Sequence, residues 1–383
     1  MQKTKAGIYI HIPFCAQACS YCNFHFSTTR KNMDKLITSI GNEMAIREKD
    51  WRAYQFDTLY FGGGTPSLLR SENFSFLMEA LNKHFFMTSL QEFTIEANPD
   101  DITHENLKAW KEIGVNRLSI GVQSFDNEVL EWMNRSHKAE DSLKALERAR
   151  GFGFEKFSMD LIYGLPEGKG GDFMKDLGRV DELGVNHISA YALTIEENTP
   201  LHKKIMTQSF PAPDENRAVN DFQKLQEWAR ENDWRHYELS NLSKKGAEGV
   251  HNSQYWSRKP YLGLGPSAHG FQEEKRYWNL ANNPQYIKQI DLGILPEEKE
   301  SLSLKDQLNE WVMTSLRLDT GLNLKNLNGY PTELVQEIID SADELIRIGE
   351  LERYKDSFGH LHVRVPLEKR FLTDGIASKL FLV

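Results

Sequence analysis

Six times in the first half of this 383-residue chain a short apolar run gives way to a helical pattern, and that alternation limits the fold more than any other feature. The runs lie at 7–12, 57–62, 92–97, 117–122, 157–163 and 187–193 and are rich in Ile, Val, Phe, Tyr and Leu. Apolar strands separated by helix-length segments read as parallel strands joined by crossover helices. Leu36, Ile40 and Met44 recur at four-residue spacing after the first run, and Phe74, Leu77, Met78 and Leu81 form a similar stripe after the second. Both stripes predict the core face of a crossover helix. Asp126 is placed to cap a helix starting at Asn127, and Gly114 and Gly184 stand where helices end in a left-handed residue. Six βα units fall short of the eight that close a barrel. The expected fold is therefore α/β, a partial (β/α)6 TIM-like barrel with its site at the C-terminal ends of the strands.

Past residue 200 the pattern changes. A helix near 215–231 leads into polar, aromatic-rich segments around 236–241, 251–256 and 261–266, which read as irregular strands and loops. Helical periodicity returns at 304–318 and 332–348, and two short runs near 351–354 and 360–365 meet across Ser357-Phe358-Gly359 as a hairpin. The expected organisation is a barrel over 1–200, a mixed α/β extension over 201–300 and a small, winged-helix-like helical domain over 301–383. A winged helix often binds DNA, but between residues 301 and 350 four basic residues face nine acidic ones. With a formal charge of −9 for the whole chain, nucleic acid is not the expected partner.

All three cysteines, Cys15, Cys19 and Cys22, fall in one loop after the first strand. An odd count so clustered cannot make a disulfide framework and belongs in a reducing, cytoplasmic setting. No signal-like apolar core and no run of about 18 apolar residues is present, so the expectation is a cytoplasmic protein with at most peripheral membrane contact. Three thiolates can hold three corners of a four-iron cluster and leave one iron open, whereas Cys15, Cys19, Cys22 and His25 could instead close a tetrahedron around zinc. The run Gly62-Gly63-Gly64-Thr65-Pro66 at the second strand end favours the cluster. It lets backbone approach a bound ligand, which a structural zinc knot does not require.

These residues resemble the radical S-adenosylmethionine (SAM) family, whose Cys-x3-Cys-x2-Cys signature matches Cys15, Cys19 and Cys22. The wording Tyr9-Ile10-His11-Ile12-Pro13-Phe14-Cys15, the glycine run, Arg117 to Ser124 and Asp160 to Pro166 are similar to the branch that contains oxygen-independent coproporphyrinogen III oxidase. The resemblance implies a [4Fe-4S] cluster on the three cysteines, with SAM on the open iron. It also implies SAM contacts at Tyr9, Tyr21, Gly63, Gly64, Thr65, Glu96, Gln123, Arg135, Asp160 and Ala192.

Two departures bear on which member this is. The oxidase carries a further cysteine two positions after the third, where this chain has Phe24, which argues against oxidative decarboxylation. The segment His251-Asn252-Ser253-Gln254-Tyr255-Trp256 resembles the His-Asn-x-x-Tyr-Trp motif of the haem chaperone branch. That likeness implies haem at His251, Tyr255 and Trp256, with His11, His25 and His269 as alternative ligands. It also implies delivery of haem to acceptors such as cytochromes or respiratory enzymes, by a monomer or a homodimer. The alternative function is porphyrin biosynthesis by the oxidase reaction.

Overall fold

The computed structural model describes residues 3–383. Its first half runs β1 (Thr4–Ile12), α1 (Met33–Trp51), β2 (Tyr54–Gly63), α2 (Ser71–His84), β3 (Met87–Ala97), α3 (His104–Glu112) and β4 (Arg117–Gln123). It continues with α4 (Asn127–Trp132), α5 (Ala139–Gly151), β5 (Lys156–Tyr163), α6 (Phe173–Glu182) and β6 (His187–Ala192). Strands β1 to β6 are parallel and in sequence order, which makes the partial (β/α)6 barrel expected from the alternation. Leu36, Ile40, Met44, Phe74, Leu77 and Leu81 are buried under the sheet, and Asp126 accepts the amides of Glu128 and Val129 at the start of α4.

The next elements are α7 (Pro200–Met206), α8 (Glu215–Glu231), β7 (Asn241–Ser243), α9 (Val250–Trp256), β8 (Tyr261–Leu264), β9 (His269–Gln272), β10 (Lys275–Asn279), α10 (Asn283–Asp291) and β11 (Glu297–Ser301). The stretch expected as irregular strands and loops is more ordered than its composition suggested. β7 pairs antiparallel with β6, β8 pairs parallel with β1, and β9 to β11 extend that edge, giving one sheet of 11 strands. These strands are short and mix glycine, aromatic and charged residues, so neither a period of two nor an apolar run announces them.

Each barrel strand sorts its side chains by alternation. Ile8, Ile10, Leu59, Phe61, Phe93, Ile95, Leu118 and Ile120 turn outward into the helix layer and are fully buried. Their neighbours Tyr9, Thr58, Tyr60, Glu92, Thr94, Glu96, Arg117, Ser119, Ser158, Asp160, His187 and Ser189 turn inward, so the concave side is polar and aromatic.

A second core belongs to the last 80 residues: α11 (Leu304–Leu316), β12 (Leu322–Asn323), α12 (Thr332–Arg347), β13 (Glu352–Lys355), β14 (Leu361–Arg364) and α13 (Thr373–Ser378). Leu308, Val312, Leu316, Ile338, Leu345, Val363 and Ile376 fill it. The expected hairpin is present as β13 and β14, with β12 as a third strand. No helix among the described residues is long and apolar enough to cross a membrane.

The edge strands are fastened to α1 by a buried polar knot. Glu43 is fully buried, takes the Arg47 guanidinium at 2.7 Å, and accepts from the Gly265 amide at 2.8 Å, the Asn279 amide group at 2.7 Å and the Tyr286 hydroxyl at 2.5 Å. Removing one member of a buried ion pair strands the other charge. Glu43→Ala is expected to lower unfolding free energy by about 3–5 kcal/mol in urea titrations, whereas Arg52→Ala, which breaks an exposed pair at the C-terminal end of that helix, leaves the midpoint nearly unchanged.

Candidate functional site

The cysteine loop leaves β1 at the strand-end rim and is pinned on both sides. The Cys15 amide donates to the Ser27 carbonyl at 3.1 Å, and the Ser20 amide donates to the Met133 carbonyl at 2.9 Å. Asn134 reaches back to the Ala18 carbonyl at 2.7 Å, and the Leu201 amide donates to Ser20. All three thiols are free and half-buried. Burial pushes the Cys15 thiol up to about 11 and raises Cys22 as well, and the other thiolates of the loop add to both. Three thiolates gathered in a desolvated loop call for a multivalent cation, which is what an iron–sulfur cluster would supply.

Among the described residues, Arg135 is the one guanidinium bonded to that loop. Its Nη1 donates to the Cys19 sulfur at 3.2 Å, and its Nη2 donates to Asn98 at 2.7 Å and to the Gly121 carbonyl at 2.8 Å, while its buried Nε has no protein partner. A donor on a ligating sulfur is the kind of outer contact that tunes a cluster. The zinc alternative would need His25 to turn to the thiolates. Its Nε2 is instead bonded to Asn283 at 2.7 Å, and no group of three His, Cys, Asp or Glu among the described residues is arranged around a single ion.

Next to the loop lies the glycine run. The Gly63 amide donates to Glu96 at 3.1 Å, Gly64 to the Ile12 carbonyl at 2.9 Å and Thr65 to the Phe14 carbonyl at 2.7 Å. A side chain at Gly63, whose φ is +113°, would strike the His11 ring, and one at Gly64 would strike the Phe14 backbone. With those three amides engaged, the backbone from Gly63 to Thr65 offers a ligand acceptors rather than donors, which suits an ammonium better than a carboxylate.

Tyr60 donates to Glu96 at 2.8 Å, and burial, reinforced by Asp160, lifts the Glu96 carboxyl to about 7. Asp160, opposite, is raised to about 6 mainly by burial and receives the Ser119 hydroxyl at 3.4 Å. Gln123 ends β4 at φ +69°, a strained conformation for a residue with a side chain. Tyr9 stacks on Tyr60 at 5.9 Å and donates to His11 Nδ1 at 3.1 Å, Tyr21 lies against Cys19 and Arg135, and Ala192 closes β6 opposite Tyr163. The residues singled out for SAM thus all stand on this rim or in the lumen beneath it.

The residues singled out for haem do not. Helix α9 packs its His251 and Gln254 face against β2 and β3 from the lumen side and its other face toward α11. Glu92 of β3, 1% exposed, accepts both the Val250 and the His251 amides at 2.9 Å, capping the helix from across the lumen. Arg117 of β4 stands 3.7 Å from the same carboxylate and holds the Ala247 carbonyl. The His251 ring, 1% exposed, stacks on Tyr60 at 5.2 Å. Its Nδ1 bonds Thr58 at 2.9 Å and its Nε2 bonds Tyr255 at 2.7 Å, and burial lowers it to about 3. Both nitrogens of this neutral ring are occupied, so haem iron has no open nitrogen there. Trp256 packs under Arg317 of the C-terminal unit, with its indole nitrogen buried and unpartnered. The lining layer of Glu92, Thr94, Arg117, Ser158 and His187 was not foreseen. Its only trace in the sequence is a polar residue at alternate positions of otherwise apolar strands.

Between α9 and the rim lies a partly open polar cavity of about 50 Å³, lined among others by Tyr60, Thr94, Arg117, Ser119, Ser189 and Asn252. That is room for a few waters, not for a macrocycle.

Residues 9–180 match the Radical SAM superfamily. The chain is 33% identical over 320 residues to the Bacillus subtilis heme chaperone HemW, covering 83% of this chain and 84% of that one. It is 35% identical over 342 residues to the mouse mitochondrial radical S-adenosyl methionine domain-containing protein 1, covering 86% and 77%. Among solved structures it resembles coproporphyrinogen III oxidase (HemN) from Escherichia coli, a radical SAM enzyme, with a TM-score of 0.84 at 24% identity over 99% of this chain and 90% of that one.

His251→Ala would leave Thr58 and Tyr255 without their shared partner and open a cavity in the lumen. We expect a loss of about 2–4 kcal/mol in denaturant titrations, with iron per folded chain unchanged.

Proposed function

Because the chain belongs to the HemW family within the radical SAM superfamily, we propose that it is a haem chaperone. It holds a [4Fe-4S] cluster on Cys15, Cys19 and Cys22, binds SAM at the rim, and passes haem to acceptor haem proteins such as cytochromes. The observation that carries this over the oxidase alternative is the 33% identity over 320 residues to a heme chaperone, against 24% to the oxidase structure. In this reading His251, buried with both ring nitrogens bonded, does not ligate haem, and the macrocycle is handled elsewhere on the protein. Phe24, 68% exposed where an oxidase would carry its further cysteine, supports the same reading.

In this reading SAM lies between the glycine run and Asp160. Glu96 and the backbone oxygens of the glycine run would hold its ammonium, Arg135 its carboxylate and Asp160 its ribose hydroxyls. Tyr9, Tyr21, Thr65, Gln123 and Ala192 shape the walls. SAM bound at an open iron supplies radical chemistry in this superfamily. What these residues contribute is orientation and charge: Arg135 stands between the Cys19 sulfur and the side the carboxylate would occupy.

Two measurements bear on the proposal. Anaerobically reconstituted protein is expected to be brown, with about four iron and four sulfide per chain, and Cys19→Ala to lose both. The intact protein should transfer haem to an apo-cytochrome and yield no protoporphyrinogen from coproporphyrinogen III with SAM and reductant. Product in the second assay would make it an oxidase. The raised Glu96 carboxyl adds a pH signature. Below about pH 7 it is protonated and must lose its proton to meet an ammonium. SAM affinity should then fall by about tenfold per unit of pH below 7 and level off above it. Calorimetric titration of Glu96→Gln should show weaker binding with that slope removed.

A further inference from the structure

Asn98 stands in front of the short 3-10 turn Pro99–Asp101, where an asparagine ordinarily turns its side chain back to cap the amides that follow. It makes no such bond. Its backbone is extended, with φ −78° and ψ 151°, as the proline after it requires, and it lies two positions past Glu96, just beyond the end of β3. Among the described residues its side chain has one hydrogen-bond partner, Arg135 Nη2 at 2.7 Å. A half-buried amide that gives up a helix cap for a guanidinium is placed for the guanidinium.

Arg135 is fixed from three directions. The turn that carries it is clamped to the cysteine loop: Ser20 donates to the Met133 and Trp132 carbonyls, and Asn134, at φ +59°, is bonded to Gln17 and to the Ala18 carbonyl. Strand β4 is bare where the guanidinium crosses it, since a Cβ at Gly121 would come within 3.2 Å of Nη2, which donates to the Gly121 carbonyl at 2.8 Å. Asn98 is the third direction and takes the other Nη2 hydrogen. Of the five guanidinium hydrogens, two thus hold the group in place and one meets the Cys19 sulfur. The remaining two, one on Nη1 and one on the buried, unpartnered Nε, are left for an anion. Without Asn98 the Nη2 end is held by Gly121 alone, and the plane of the group can pivot about that bond and leave the sulfur.

We propose that Asn98 is the positioning residue of this centre, holding Arg135 with one nitrogen against the Cys19 sulfur and with donors to spare for the carboxylate of SAM. The inference rests on the cluster-and-SAM part of the proposed function. It assigns both ends of the amino acid to the end of β3: Glu96 serves the ammonium directly, and Asn98 serves the carboxylate through Arg135. An N–H on a ligating sulfur stabilises the electron-rich, reduced cluster, so the same amide bears on redox potential as well as on affinity.

The test uses full-length, anaerobically reconstituted protein, with SAM affinity from calorimetry and the cluster midpoint potential from a redox titration followed by electron paramagnetic resonance. Asn98→Ala is expected to keep its iron and sulfide, to bind SAM about tenfold more weakly and to shift the midpoint to more negative potential. In an Arg135→Ala background the same substitution should change neither quantity further, which a merely structural role would not achieve. Parental affinity and potential in cluster-loaded Asn98→Ala, or an undiminished loss in the Arg135→Ala background, overturns the assignment while the reading of the site stands. Should the unaltered protein take up no cluster, that reading fails and the assignment falls with it.

Discussion

The Glu92 carboxylate, almost fully buried in a polar lumen, collects two amides of α9 and faces Arg117. A charge so placed is tolerable only with such partners, and a helix N-terminus in the lumen is tolerable only with such an acceptor. Each makes the other affordable, and the barrel's inner architecture follows. Between that helix and the strand-end rim lies a polar cavity of about 50 Å³, lined by the inward-facing residues of the strands.

Much of the barrel was legible because alternation speaks clearly in parallel strands. Strands β1 to β6 are apolar on the helix side, their runs are bounded by glycine or polar turns, and the stripes of α1 and α2 fell under the sheet as read. The cysteine loop was legible because three thiols at this spacing have few uses. What could not be read was who meets whom across long separations. Glu92 and His251 lie 159 positions apart and Thr58 and His251 193, and nothing local in either segment announces the other. The motif at 251–256 stood out by its composition, yet a His flanked by Tyr and Trp looks the same whether it faces a macrocycle or its own barrel. Burial decides that, and burial is tertiary.

The rim shows how one set of residues can be tuned by geometry rather than by identity. Glu96 and Asp160 are ordinary carboxylates in sequence. Desolvation raises both toward neutrality, and the nearby Asp160 charge adds to the rise at Glu96, which makes them responsive to a cation near physiological pH. Arg135, which sequence alone would leave as a solvated helix end, is drawn onto the Cys19 sulfur by the bonds that Asn134 makes to the loop.

The position of β1 in the sheet also bears on how the molecule is made. It is the first strand in the chain and lies between β2 and β8, so one neighbour forms early and the other must come from residues 261–264. Until those residues exist, a nascent barrel carries an open apolar edge beside Glu43, whose partners at 265, 279 and 286 are equally distant. Long-range closure of this kind slows folding and leaves a strand edge available for mispairing. A chain halted before residue 261 would therefore be caught with β1 half-paired and Glu43 without its distant partners.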